Sequence, residues 1–198
     1  MTDCDVVFAG VGGQGILLAA EILGTAAVKE GYNVRVSELH GMAQRGGAVV
    51  SHVRIGDKAL AATVLEGTAD VIISLEPMEA LRNMKYASQD TIVLVNTTPF
   101  TISGTNYPEV KIILQKIRNF TTNLREIDAA VLAEKAGTKL TRNIVMLGAA
   151  AATDKLPLEV ETIKEALRER VPAKYLDVNV KAFDLGFEAV KTPPEGST

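Results

Sequence analysis

Two glycine-rich runs hold the residues whose types and spacing could do chemistry in this 198-residue chain. The first has the sequence Gly-Val-Gly-Gly-Gln-Gly over residues 10–15, directly after the apolar residues 6–8 and overlapping a helical pattern that begins at Gln14. A glycine-rich turn between a strand and a helix leaves backbone N–H groups at the positive end of the helix dipole. Such a turn suits a phosphate, a carboxylate or the carbonyl groups of another polypeptide.

The spacing of Gly10, Gly12 and Gly15 also matches the dinucleotide-binding fingerprint. Glu38 follows near the position where an acidic residue would bind the ribose. The alternative is that the glycines serve only a tight turn and close packing of the helix, as any doubly wound protein requires. The turn by itself leaves both interpretations open.

The second run, His-Gly-Met-Ala-Gln-Arg-Gly-Gly over residues 40–47, follows a predicted strand at 33–39. In open α/β sheets, ligands and partners dock at this end of the strands. His40 is a candidate because histidine is the side chain suited to acid–base chemistry near neutral pH, and the guanidinium of Arg45 can clamp a carboxylate or phosphate with two hydrogen bonds. We therefore expect these two residues to be the catalytic candidates. Alternatively, the loop only caps the strand and contacts a neighbouring subunit.

The composition excludes several classes of function. Cys4 is the only cysteine, so this chain alone cannot build an internal disulfide or a cysteine-ligated iron–sulfur or zinc site. The sequence shows no Ser-His-Asp set, metal-ligand cluster or P-loop lysine, and no metal ligands are predicted. Scattered basic residues, a net charge of −3 and the lack of tryptophan argue against nucleic-acid binding. With no signal peptide and no apolar run near about 20 residues, we expect a cytoplasmic protein without membrane association.

Buried strands alternate with helices along the chain, which predicts an α/β fold with a doubly wound, Rossmann-like sheet. The sheet is expected to be mostly parallel, with helices on both faces and a short antiparallel hairpin. A segment ending at Leu65 is predicted to pair with strand 48–55, on which His52 is expected to be a packed or surface residue. We expect one domain over residues 1–191 and a frayed tail at 192–198. The further predicted strands cover 71–75, 91–95 and 110–114, and the further helices cover 127–136, 143–153, 158–168, a segment starting at Glu76-Pro77 and a segment after Pro172.

Together the two glycine runs, each with the residues that follow it, resemble the gamma-type domain of 2-oxoacid:ferredoxin oxidoreductases. The second run is more similar to the beta subunit of indolepyruvate ferredoxin oxidoreductase than to the pyruvate or oxoglutarate versions. The resemblance spans nearly the whole chain. Further positions agree with it, namely Asp70, Glu76-Pro77 with Glu79-Ala80, Asn143 with Leu147-Gly148, and Asn179 with Ala182-Phe183 and Gly186.

This resemblance implies a subunit of a complex that decarboxylates a 2-oxoacid oxidatively, with an arylpyruvate as substrate, an aryl-acetyl-coenzyme A as product and ferredoxin as electron acceptor. Thiamine diphosphate and the Fe–S clusters would lie on a large alpha subunit, and coenzyme A would also take part in the complex. Both glycine runs would face that subunit and the approach to its active site. The residues expected to bind a cofactor or to form this interface are Gly10, Gly12, Gly13, Gln14, Gly15, Gly41, Met42, Gln44, Gly46, Gly47 and Asn143.

Three alternatives remain open from the sequence. The chain could belong to a complex for another 2-oxoacid, such as pyruvate, a branched-chain oxoacid or 2-oxoglutarate. It could be a stand-alone protein that binds NAD or FAD, which only the glycine spacing and Glu38 support. It could also be an assembly module without any ligand contact.

Overall fold

A six-stranded sheet lies at the centre of the computed structural model, which describes residues 2–41, 46–57, 59–101 and 106–191. The strands are β1 Cys4–Val11, β2 Val34–His40, β3 Ala48–Ile55, β4 Ala69–Ser74, β5 Ala87–Asn96 and β6 Leu124–Ile127. Their order across the sheet is β2-β3-β1-β4-β5-β6. Strands β1, β4, β5 and β6 are parallel, and β3 runs antiparallel to both β1 and β2.

Helices cover both faces of this sheet. They are α1 Ile16–Lys29, α2 Pro77–Arg82, α3 Val110–Ile117, α4 Ala129–Ala136, α5 Arg142–Ala151, α6 Val160–Arg170 and α7 Leu176–Lys191. One apolar core joins α1, α4, α5, α6 and α7 to one face, and a smaller core joins α2 and α3 to the other. Because the middle of β4 is buried on both faces, its residues 71–73 form a continuous apolar run rather than an alternating pattern. The predicted α/β class, with antiparallel pairing at one side of a mostly parallel sheet, is confirmed.

The predicted hairpin partner of β3 is wrong. The segment before Leu65 forms no strand among its described residues, and it lies instead over one face of β3. Its backbone is held there by Ser37 Oγ, which donates to Ala62 O at 2.9 Å, and by Val64 N–H, which donates to His52 Nδ1 at 2.8 Å. Both edges of β3 are already paired, one with β2 and one with β1, so no edge is free for a third strand.

The strand predicted at 110–114 is also wrong, because these residues begin helix α3. The run Ile112-Ile113-Leu114 has the β-branched, apolar character of a short buried strand. Its burial follows a helix instead: Ile113, Leu114 and Ile117 are buried, whereas Ile112 is 47% exposed. The strand at this point of the sheet is β6, which the sequence does not reveal because it is four residues long and carries two exposed charged side chains.

The other predicted elements are present with shifted ends. The first helix begins at Ile16, two residues after the start of its apolar pattern, and the predicted helix at 127–136 begins at Ala129, because Ile127 ends β6. Across the described ranges, no helix combines the length and the apolar character that crossing a membrane would need.

Candidate functional site

The first glycine run and the described residues of the second run, 40, 41, 46 and 47, lie at one edge of the sheet, where β1 and β2 end. Because β3 pairs antiparallel with both of these strands, it begins beside the end of β1, where Ala48 lies opposite Val11. Gly12 N–H donates to Gly47 O at 2.9 Å, and Gly41 N–H donates to Ala48 O at 2.8 Å. The structure therefore brings together two motifs that are about 30 residues apart in the sequence.

The turn after β1 depends on two glycines with left-handed backbone. Gly13 has φ +93° and Gly15 has φ +78°. Gly15 is also confined, because a Cβ atom there would lie 2.5 Å from Nδ2 of Asn143, whereas a Cβ atom at Gly13 would meet open space. Asn143, at the start of α5, donates from Nδ2 to Gly15 O at 3.0 Å. Two predicted site residues thus form one contact that positions the start of α1.

Gln14 fixes the turn from the inside. Its Oε1 accepts the N–H of Val11 at 2.8 Å, and its Nε2 donates to Leu75 O at 3.4 Å. Asn96, at the end of β5, donates to the same carbonyl at 3.0 Å. A Cβ atom at Gly10 would lie 2.6 Å from Gln14 Oε1, so glycine is required there for this side chain to fold inward. Gln14 and Asn96 therefore connect the ends of β1, β4 and β5 through the carbonyl of Leu75.

The glycine turn forms one wall of a cavity of about 230 Å³ that we call the basic cavity. Lys139 and Arg142 line its other side, and its described lining is Gly12, Gly13, Gln14, Leu75, Phe100, Lys139, Leu140 and Arg142. The lysine side chain is 63% exposed and pairs with Glu134 at 2.7 Å. Two cationic residues line the same cavity as the glycine turn that precedes the 14-residue helix α1, a combination that suits an anionic group.

A second cavity of about 230 Å³, here called the acidic cavity, shares the Phe100 ring with the first. Its described lining is Val11, Gly46, Glu76, Met78, Glu79, Arg82, Phe100, Asn106, Tyr107 and Pro108. Burial raises the pKa of the Glu79 carboxyl, although the adjacent Arg82 charge opposes that rise. Burial also raises the pKa of Tyr107, whose hydroxyl donates to Glu76.

Only some of the site residues predicted from the sequence line these two cavities. Gly12, Gly13 and Gln14 line the basic cavity, and Gly46 lines the acidic cavity. His40 lies at the end of β2, where its Nε2 is 2.9 Å from Glu38 Oε2, and it is not among the described residues that line either cavity. Three candidates lie outside the described residues, namely Met42, Gln44 and Arg45.

Sequence reasoning missed the residues that other strands and loops bring to this edge: Glu76, Glu79, Arg82, Phe100, Tyr107, Lys139 and Arg142. Of these residues, only Glu76 and Glu79 could have been found from a pattern in the sequence. Glu76 directly follows a buried strand and stands three residues before Glu79, which is the spacing of a helix-capping pair. The two aromatic residues lie in the connection between β5 and α3, Arg82 ends α2, and Lys139 and Arg142 lie just before and at the start of α5; none of them belongs to a sequence motif.

The strand order argues against the dinucleotide interpretation of the glycine spacing. In dinucleotide-binding domains, the strand that carries the ribose-binding acid lies directly beside β1. Here β3 lies between β1 and β2, which places the strand of Glu38 about 10 Å from β1 at ordinary strand spacing. Its carboxylate contacts His40 instead.

His52 is fully buried on the sheet face opposite α1, as a packed residue, with its ring edge-to-face against Tyr86 at 4.9 Å between centroids. Its Nδ1 accepts the N–H of Val64, so the neutral ring carries its proton on Nε2. That Nε2 has no hydrogen-bond partner among the described residues. Burial, followed by the charge of Lys85, lowers the pKa of His52 below 6.5.

This environment predicts a loss of stability in mild acid. Because the pKa of His52 is lower in the native state than in the unfolded state, the unfolded state binds the proton more readily. The native state therefore has its full stability above pH 6.5 and loses stability as the pH falls toward the native pKa. We expect the free energy of unfolding to fall by up to about 1.4 kcal/mol per pH unit in that range. Denaturant titrations from about pH 7.5 to 5 measure it. His52→Gln should flatten the dependence and His40→Gln should not, and an unchanged slope in His52→Gln would contradict the assignment.

Within the part of the chain that the structure describes, no three His, Cys, Asp or Glu side chains are grouped as metal ligands would be. Cys4 is buried in the apolar core, and burial raises the pKa of its thiol. The chemistry available at this edge of the sheet is therefore the binding of an anionic or hydrogen-bonding ligand by backbone donors, lysine, arginine and carboxylates.

The fold and this edge define a class of protein, an α/β domain in which a glycine turn and residues of neighbouring elements line two adjacent cavities at one edge of the sheet. Residues 5–189 match the family model described as pyruvate ferredoxin/flavodoxin oxidoreductase. The chain belongs to this family.

Named relatives refine the comparison. The indolepyruvate oxidoreductase subunit IorB of Pyrococcus horikoshii is 46% identical, over 96% of this chain and 98% of that protein. The pyruvate/ketoisovalerate oxidoreductases common subunit gamma of Thermococcus kodakarensis is 30% identical, over 92% and 95% of the two chains. The keto/oxoacid ferredoxin oxidoreductase gamma subunit from Geobacter sulfurreducens has a similar structure, with a TM-score of 0.72, 26% identity and coverage of 95% and 98%. All three relatives are oxidoreductase subunits.

Proposed function

We propose that this chain is a subunit of a ferredoxin-dependent indolepyruvate oxidoreductase, which converts an arylpyruvate to an aryl-acetyl-coenzyme A. The observation that carries this proposal is the difference in similarity: 46% identity to an indolepyruvate oxidoreductase subunit against 30% to a gamma subunit for pyruvate and ketoisovalerate, both over more than nine-tenths of the chain. The fold is common to both groups, so it does not separate the substrates.

The complex needs a partner subunit for its redox chemistry. The single cysteine of this chain cannot ligate an Fe–S cluster alone, and no metal-ligand group occurs among the described side chains. We infer that thiamine diphosphate and the clusters are carried by a larger subunit, with ferredoxin as the electron acceptor of the complex. The edge formed by the two glycine runs would face that subunit.

The basic cavity fits the phosphate groups of coenzyme A. Lys139 and Arg142 supply positive charge, and the open space at Gly13 lets a ligand approach the turn that precedes α1 closely. When bound, coenzyme A supplies the thiol that takes up the acyl group. The role of this chain would be to bind its phosphates and to orient it toward the partner's active site.

Co-purification under native conditions tests the proposal. We expect a larger partner to accompany this chain, with iron, sulfide and thiamine diphosphate in the purified complex. The complex should reduce ferredoxin with indolepyruvate and coenzyme A, and its kcat/KM for indolepyruvate should exceed that for pyruvate by about tenfold or more, because an aryl side chain offers much more apolar surface to bury. Equal or greater efficiency with pyruvate would reassign the substrate. A lone chain that binds NAD or FAD would overturn the proposal.

A further inference from the structure

Glu76 is a buried carboxylate whose hydrogen-bond donors come from distant parts of the chain. The residue is 2% exposed and lies two positions after the end of β4. Its Oε2 accepts the N–H of Glu79 at 2.9 Å, which caps α2 locally. Its Oε1 accepts the N–H of Phe100 at 3.3 Å and the hydroxyl of Tyr107, which are 24 and 31 residues away in sequence.

The Tyr107 hydroxyl makes a second contact at the same place. It accepts the N–H of Met78 at 3.3 Å while donating to Glu76. Phe100 and Tyr107 both belong to the connection between β5 and α3, so the start of α2 holds this connection at two points. Capping α2 needs only one acceptor at its first turn, and an exposed Ser or Asp would serve. The burial of a charged carboxylate is therefore explained by the distant donors, which compensate its loss of hydration.

Phe100 is the residue through which this arrangement acts on the candidate site. Its backbone N–H donates to Glu76, and the residue, 40% exposed, lines both the basic and the acidic cavity. A ligand that fills the basic cavity therefore contacts Phe100. The position of Phe100 depends on its backbone, which Glu76 binds.

We propose that Glu76 and Tyr107 are positioning residues for coenzyme A, which act by holding Phe100 as the shared wall of the two cavities. The proposal rests on the proposed function, in which the basic cavity takes the phosphates of coenzyme A. It assigns to Glu76 a role in ligand binding beyond the capping of α2. It also predicts that the effect of a substitution at Tyr107 appears in coenzyme A binding rather than in turnover.

Tyr107→Phe tests this in the purified complex, because it removes one hydroxyl and keeps the ring. We expect the Kd for coenzyme A, measured by calorimetry without 2-oxoacid, and the KM for coenzyme A to rise roughly three- to tenfold, the effect of losing one hydrogen bond to a charged group. The KM for the 2-oxoacid and the kcat at saturating coenzyme A should change less than about twofold. Tyr175→Phe is the matched control, since Tyr175 is half exposed on the short turn before α7, and it should leave all four values unchanged.

Three further variants separate positioning from general stability. Glu76→Gln should raise the same two constants, and the double variant with Tyr107→Phe should be little worse than Glu76→Gln alone, because both changes break one contact. Phe100→Leu keeps the backbone N–H that binds Glu76 and should still weaken coenzyme A binding, which gives a test if the other variants assemble poorly.

Two outcomes have different meanings. If the wild-type complex binds and uses coenzyme A but Tyr107→Phe has the wild-type Kd, or loses Tm and kcat together without a change in Kd, the positioning role is wrong and the proposed function stands. If the wild-type complex neither binds coenzyme A nor depends on it for turnover, the proposed function itself fails.

Discussion

Gly186→Ala will lower the free energy of unfolding by about 3–5 kcal/mol, the range of a severe core substitution. A Cβ atom on Gly186 in α7 would lie 1.9 Å from the carbonyl oxygen of Val145 in α5. The contact is reciprocal, because a Cβ atom on Gly148 would lie 2.0 Å from the carbonyl oxygen of Phe183. Both obstacles are backbone atoms of helices, so neither can move aside alone. Thermal unfolding should show a Tm lower by roughly 10 °C.

Gly24→Ala is the matched control. Gly24 is also a buried glycine inside a helix, but the nearest atom to its added Cβ is the end of the Val36 side chain at 3.2 Å, which can shift by a few tenths of an ångström. Since alanine favours the helix by about 1 kcal/mol, this variant should remain within roughly 1 kcal/mol of wild type. Similar Tm values for the two variants would contradict the close packing of α5 on α7. The packing bears on the candidate site, because α5 begins beside Asn143, which binds the glycine turn.

Gly15→Ala will impair the candidate site more than Gly13→Ala. Both residues have left-handed backbone, which costs alanine about 1–2 kcal/mol. Only Gly15 is also confined, with Asn143 Nδ2 2.5 Å from the added Cβ. We expect Gly15→Ala to cost about 2–4 kcal/mol in stability and, if the basic cavity binds coenzyme A, to raise its KM in the complex by about tenfold or more. Gly13→Ala should show only the smaller backbone cost.

The double variant with Asn143→Ala identifies the cause. Removing the Asn143 amide takes away the atoms at 2.5 and 3.0 Å and leaves only its Cβ, at 3.5 Å, which is an ordinary contact. In that background, Gly15→Ala should cost about as much as Gly13→Ala, with a coupling free energy of about 1–2 kcal/mol measured by denaturant unfolding. Strictly additive free energies would show that the effect arises from the backbone alone.

Much of the fold was predictable because burial repeats with the period of each element. The continuous apolar runs of β4 and β5 and the helical spacing in α1 gave a doubly wound sheet with helices on both faces. The errors lie where the period is ambiguous or the element is short. The apolar run at 112–114 suits a strand as well as a helix, and β6 has four residues. The sequence could not show which strands pair with β3, because strand pairing depends on which strands the tertiary fold places beside it.

The sequence by itself determined that a glycine-rich turn joins the first strand to the first helix, and it showed which family the chain resembles, since glycines without a Cβ atom let the backbone turn sharply there. Only the tertiary structure decided that the two glycine runs meet, because β3 reverses between β1 and β2. It also decided that Glu76 binds Phe100 and Tyr107, and that Lys139 and Arg142 face the turn. These contacts join residues 24 to more than 100 positions apart, and side-chain chemistry alone does not specify which distant groups will be neighbours.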